Sequence, residues 1–87
     1  MARYAYHQVD TNQREIIAAL EAGGCTVSKI GRPVDLAVGK NGRTYLFEVK
    51  QVKGKLRQSQ SAFILGWRGH VGILRTVDDV QAFLRGT

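Results

Sequence analysis

The stretch RPVDLAVGKNGRTYLFEVKQ, Arg32 to Gln51, decides the fold. Two mostly apolar segments, VDLAV and TYLFEVK, flank GKNGR, whose Asn41-Gly42 pair favours a tight β-hairpin turn. Side chains alternate across a strand, so Phe47 and Val49 point to one face while Glu48 and Lys50 point to the other. The turn folds VDLAV back beside TYLFEVK and brings Asp35 toward Glu48. Two acids and a lysine then share one patch of a sheet that ought to be dry.

Upstream, CTVSKI (residues 25–30) alternates apolar and polar residues, as a strand with one wet face does. Before it, DTNQREIIAALEAGG (residues 10–24) carries a helix signature. Asp10, Thr11 and Asn12 are competent N-caps, Ile16, Ala19 and Leu20 form a stripe at helical spacing, and Gly23-Gly24 ends the helix. Residues 1–9 form a short polar and aromatic arm. Downstream, Gly54, Lys55 and the polar residues after them open a second helix that runs to about Trp67 and closes at Gly69. HVGILRT (residues 70–76) reads as a fourth strand, and TVDDVQAFL (residues 76–84) as a last helix whose Thr76 and Asp79 have capping-box spacing. The order αβββαβα describes an α/β fold with a mixed central sheet flanked by helices, because a strand, crossover helix and strand run parallel in one sheet.

The 87 residues allow one small core and no second one, so residues 1–87 read as a single domain. Hydrophobic residues make up 44% and only one residue is proline, which argues against a disordered chain. Thirteen Lys and Arg against seven Asp and Glu leave a net charge of +6, a surplus that suits a polyanion such as nucleic acid or a merely soluble basic surface. No apolar run reaches the roughly 18 residues of a membrane span, and the N-terminus lacks a signal core. One cysteine, Cys25, makes neither an intrachain disulfide nor a zinc site. An intracellular protein is expected.

The patch of charges has two readings. Two acids side by side repel, and a divalent cation relieves them: magnesium binds through one or two carboxylates and keeps waters for a phosphate substrate. Such an ion polarises a phosphoryl oxygen and lowers the pKa of a coordinated water, and Lys50 would stabilise charge growing on the phosphate. In the other reading Asp35 caps a turn, while Glu48 and Lys50 form a solvated ion pair on an exposed sheet face.

The order Asp, then thirteen positions on Glu-x-Lys, resembles the core of the PD-(D/E)XK nuclease superfamily. Within it the chain resembles the small stand-alone VRR-NUC members of phages and bacteria. The likeness covers nearly the full length: NQREIIAAL, VDLAV, the hairpin, FEVK, the basic loop KGKL, QSQSAF and GHVGILRTVDDV. It implies a restriction-endonuclease-like domain in which Asp35 and Glu48 hold Mg2+ or Mn2+, with the backbone carbonyl of Val49 as a third ligand. Lys50 matches the motif lysine, Glu15 the first-helix acid that completes the metal site, and Gln60 the helix glutamine near the scissile phosphate. The chain departs from the family in one place, since Val34 separates Pro33 from Asp35 where the family has proline next to the aspartate. A strand that starts one residue later keeps Asp35 in place, whereas a slipped register turns it away.

Arg32, Lys53, Lys55 and Arg57 are candidate phosphate contacts, which position a backbone without reading its sequence. Arg43 and Arg68 are more ambiguous. His7 and His70 lack metal-ligand spacing and read as structural or surface residues. Leu56, Phe63 and Trp67 read as core or subunit interface. The implied activity is Mg- or Mn-dependent hydrolysis of DNA phosphodiesters by a homodimeric endonuclease selective for branched DNA such as a Holliday junction, acting in the cytoplasm of a bacterium or phage-infected cell. The alternative is a non-catalytic nucleic-acid-binding module that keeps the fold, and a third is a subunit that docks onto a replication or repair protein.

Overall fold

The computed structural model describes residues 11–87, so the arm at residues 1–9, the cap candidate Asp10 and His7 lie outside the described residues. The elements follow the expected order: α1 (Gln13–Ala22), β1 (Thr26–Lys29), β2 (Leu36–Lys40), β3 (Arg43–Val49), α2 (Gln58–Gly66), β4 (Val71–Leu74) and α3 (Val77–Arg85). The four strands form one mixed sheet in the order β1-β2-β3-β4. β1, β2 and β3 are antiparallel neighbours, and α2 carries the chain across so that β4 lies parallel to β3.

The hairpin forms for the reason its sequence suggests. Lys40 pairs with Arg43 across a two-residue turn in which Asn41 and Gly42 have φ of 54° and 77°. Two successive left-handed residues match the twist of the flanking strands, and Asn-Gly tolerates them best. The register that follows pairs Leu36 with Phe47, Ala37 with Leu46 and Val38 with Tyr45.

Alternation then sorts β2 and β3 into two faces. Leu36, Val38, Tyr45, Phe47 and Val49 are buried with Ile16 and Leu20 of α1, Leu74 of β4 and Val80 of α3. Phe83 of α3 meets Tyr45 and Phe47 edge-on, with ring centroids 4.8 and 4.9 Å apart, the offset geometry that aromatic quadrupoles prefer. Helices α1 and α3 thus cover one face. Glu48 points the other way and meets Gln60 of α2, so α2 covers the opposite face.

The helix ends divide into one expected cap and two corrections. Thr76 Oγ1 accepts from the Asp79 amide while Asp79 Oδ2 accepts from the Thr76 amide, the reciprocal box read from sequence. Asn12 occupies the N-cap of α1 but makes no side-chain cap; its amide nitrogen instead donates to the Lys50 and Arg75 carbonyls. Helix α2 starts at Gln58, four residues after Gly54, which leaves Lys53 and Lys55 in an irregular loop.

Of the two readings of Leu56, Phe63 and Trp67, the core is set aside, since none of them belongs to the core cluster. Gln60 is the one buried residue of the helix, whereas Leu65 and Trp67 are 86% and 46% exposed. Trp67 stacks on Phe63 at 5.2 Å on the molecular surface, outside the core. Among the described residues no helix is long and apolar enough to cross a membrane.

Candidate active site

Extending the β2–β3 register by one residue sets Asp35 beside Glu48. Asp35 immediately precedes β2, and its Oδ2 accepts from the Val49 amide at 2.8 Å. Val34 is buried at 1% exposure, so the residue that separates Pro33 from Asp35 turns inward and leaves the aspartate on the cleft side. The turn reading of Asp35 is therefore set aside: its carboxylate is held by the neighbouring strand.

Glu48 is only 3% exposed, which overturns the picture of a solvated surface ion pair. Its Oε2 accepts from Gln60 Nε2 at 2.6 Å and lies 3.7 Å from Lys50 Nζ. Burial, and then the Asp35 carboxylate beside it, push the Glu48 pKa up to about 7, and the Lys50 ammonium opposes them in part. A buried acid at that value is poised between its protonated and ionised forms near neutral pH. One oxygen of each carboxylate is held by the fold, Asp35 Oδ2 by the Val49 amide and Glu48 Oε2 by Gln60.

Gln60 is anchored at both ends. Its Nε2 donates to Glu48 and its Oε1 accepts from the Arg57 amide at 2.8 Å. The glutamine thus ties the start of α2 to the buried acid. Both polar ends are engaged within the protein, which makes Gln60 a holder of Glu48 more than a hand reaching for substrate.

Asp35, Glu48, Val49, Lys50 and Gln60 line a cleft of about 1170 Å³, with Arg32 and Arg57 on its wall. Lys50 also lines a second cleft of about 760 Å³, where Glu15, Lys53, Lys55 and Arg75 lie. Lys50 is therefore the divide between two basic hollows. The structure brings together Asp35, Glu48, Lys50 and Gln60, and it sets Glu15 in the neighbouring hollow, exposed on α1. Arg43 and Arg68 are exposed and line neither cleft, while His70 packs against Tyr45 at 4.6 Å.

The donor set suits a hard cation in part. No group of three or more His, Cys, Asp or Glu side chains is placed to hold a metal among the described residues. Two adjoining carboxylates remain, with mutual repulsion that a divalent ion would relieve, and magnesium needs only one or two carboxylates. Sequence reasoning missed Arg75, which packs behind Lys50. Its partners are backbone carbonyls, so no motif marks it.

Set against known proteins, the chain matches no family model, no curated protein and no solved structure.

Proposed function

We propose that the chain is a metal-dependent DNA endonuclease of the VRR-NUC type that hydrolyses phosphodiester bonds, with branched DNA such as a four-way junction as its substrate. The observation that carries this reading is the meeting of Asp35, Glu48 and Lys50 at the floor of one basic cleft. Asp35 and Glu48 would hold Mg2+ or Mn2+, with the Val49 carbonyl as a further ligand. When bound, the ion supplies Lewis-acid polarisation of the phosphate and activation of water.

The rest is done by the protein's own groups. The Val49 amide and Gln60 orient the two carboxylates. The Lys50 ammonium, 3.7 Å from Glu48, supplies a fixed positive charge where negative charge grows on the phosphate. Arg32 and Arg57 on one side of Lys50, and Lys53 and Lys55 on the other, contact flanking phosphates. The exposed apolar side chains at the end of α2 and just beyond it, Leu65 and Trp67, support a homodimer with two active sites, and a two-fold suits a four-way junction. The place of action is the cytoplasm of a bacterium or phage-infected cell.

The test is incubation of the protein with labelled four-way-junction and linear duplex DNA, in Mg2+, in Mn2+ and in chelator. Cutting that needs the ion and disappears in Glu48→Ala and Lys50→Ala supports the proposal; undiminished cutting by either variant sinks it. One observation favours the second reading, a nucleic-acid-binding module without catalysis: only two acids meet, because Glu15 stands in the other hollow. Tight junction binding with no nicking in either metal would select that reading.

A further inference from the structure

Residues 50–57, between β3 and α2, belong to no helix or strand, yet they carry Lys50, Lys53 and Lys55. An irregular loop presents cations reproducibly only if something holds its backbone. The Arg75 side chain reaches it from the end of β4. Its Nη1 donates to the Gln51 carbonyl at 2.7 Å and the Gly54 carbonyl at 2.6 Å, with a longer contact of 3.4 Å to Val52.

Asn12 completes the hold from the start of α1. Its Nδ2 donates to the Lys50 carbonyl at 3.0 Å and to the Arg75 carbonyl at 2.7 Å. The Arg75 amide in turn donates to Asp79 Oδ2 at 2.8 Å, so α3's capping residue fixes the arginine's own backbone. The Lys50 amide continues the ladder by donating to the Leu74 carbonyl at 3.1 Å. The ends of β3 and β4 and the starts of α1 and α3 are thereby joined behind one lysine.

We infer that Arg75 and Asn12 are positioning residues that clamp the Lys50–Gly54 backbone and so set where Lys50, Lys53 and Lys55 present their charges. Arg75 is basic and lines a hollow with Lys53 and Lys55, yet its guanidinium acts on carbonyls. Charge-assisted bonds are strong, and all of these contacts are made by one terminal nitrogen at the tip of the guanidinium, which the shorter side chain of lysine does not reach. The effect on cutting rests on the nuclease reading; the effect on the loop does not.

The experiment compares wild type with Arg75→Ala, Arg75→Lys and Asn12→Asp, the last nearly isosteric but without the donor. Hydrogen exchange at the Lys50 and Gly54 amides, which donate to the Leu74 and Gln51 carbonyls at the two ends of the clamped segment, is read against the amides of β2 and β3. The inference expects loop exchange to rise about tenfold or more in all three variants while the strands keep their protection. Unchanged loop exchange in Arg75→Ala, or full restoration by Arg75→Lys, would overturn it, since a lysine preserves a phosphate contact but not the clamp. Should Arg75→Ala fail to fold, Arg75→Lys and Asn12→Asp carry the same test. With junction DNA, the clamp expects Arg75→Ala to lower kcat and, combined with Lys50→Ala, to lose less than the product of the two separate losses, because residues that act through one another are not additive. Full additivity counts against it. A wild type that cuts nothing refutes the nuclease reading and leaves the exchange result to decide the clamp.

Discussion

The two faces of the central sheet are built to different rules from the same strand. On the face under α1 and α3, Tyr45, Phe47 and Val49 interlock with Phe83, Ile16 and Leu20. On the face under α2, Glu48 is buried against Gln60 beside Lys50, under a helix that leaves Leu65 exposed. Alternation of single residues along β3 makes the division, so a chain with one small core can place its apolar cluster on one side and a buried group of charged residues on the other. Glu48, held at a raised pKa, is the cost that the second face imposes on the first.

Four tests would break or sharpen that contrast. The largest effect is on activity: Glu48→Ala and Lys50→Ala should each lower junction cleavage on the order of a thousandfold or more, with far-ultraviolet circular dichroism unchanged. Residual cutting near the wild-type rate would mean that this face carries no chemistry. On the opposite face, Phe47→Ala should cost about 3–5 kcal/mol in denaturant titration, because it removes a buried ring and the edge-on contact with Phe83. A loss below about 1 kcal/mol would show that the aromatic cluster is not the anchor.

The pH dependence tests the division directly. Glu48 has its folded pKa at about 7 against an ordinary value of 4.5, so between those values the folded state holds more protons than the unfolded one. Its stabilising contribution is complete below about pH 4.5 and is lost as pH rises through 7. Up to about 3 kcal/mol is involved, the free energy of a shift of that size. Glu48→Gln should flatten this part of the stability curve and raise Tm above pH 7, and Mn2+ should raise the Tm of wild type there but not that of the variant. A wild-type curve that matches Glu48→Gln across pH 5–8 would contradict the buried, repelled carboxylate. The smallest effect is at the α3 cap, where Thr76→Ala should cost about 1 kcal/mol in the same titration.

Much of the site was legible beforehand because its parts are close in sequence or set by strand period. Asn41-Gly42 specifies a turn, the turn specifies a register, and that register sets Asp35 beside Glu48. Period-two alternation puts Glu48 and Lys50 on one face without further information. Asn12 was legible only as a cap, since a cap is what an asparagine before an amphipathic helix offers locally. Its actual partners lie 38 and 63 positions away, and nothing local competes with or announces them. Glu15 shows the same limit, because its helix position is local while the hollow it lines depends on how α1 docks against the loop after β3. The basic residues likewise read as one set but divide between two hollows on either side of Lys50.

By itself the sequence determined the order of the seven elements, the hairpin and the face to which each charged strand residue points, since these follow from residue periodicity and turn chemistry over a few neighbours. Only the tertiary structure decided that Glu48 would be dry, that Gln60 would hold it, that α2 would leave Leu65 and Trp67 exposed, and that Arg75 and Asn12 would close behind Lys50. Those outcomes depend on which distant surfaces come to share a boundary, and hydrogen bonds to backbone carbonyls can be satisfied by any donor that the packing brings within reach.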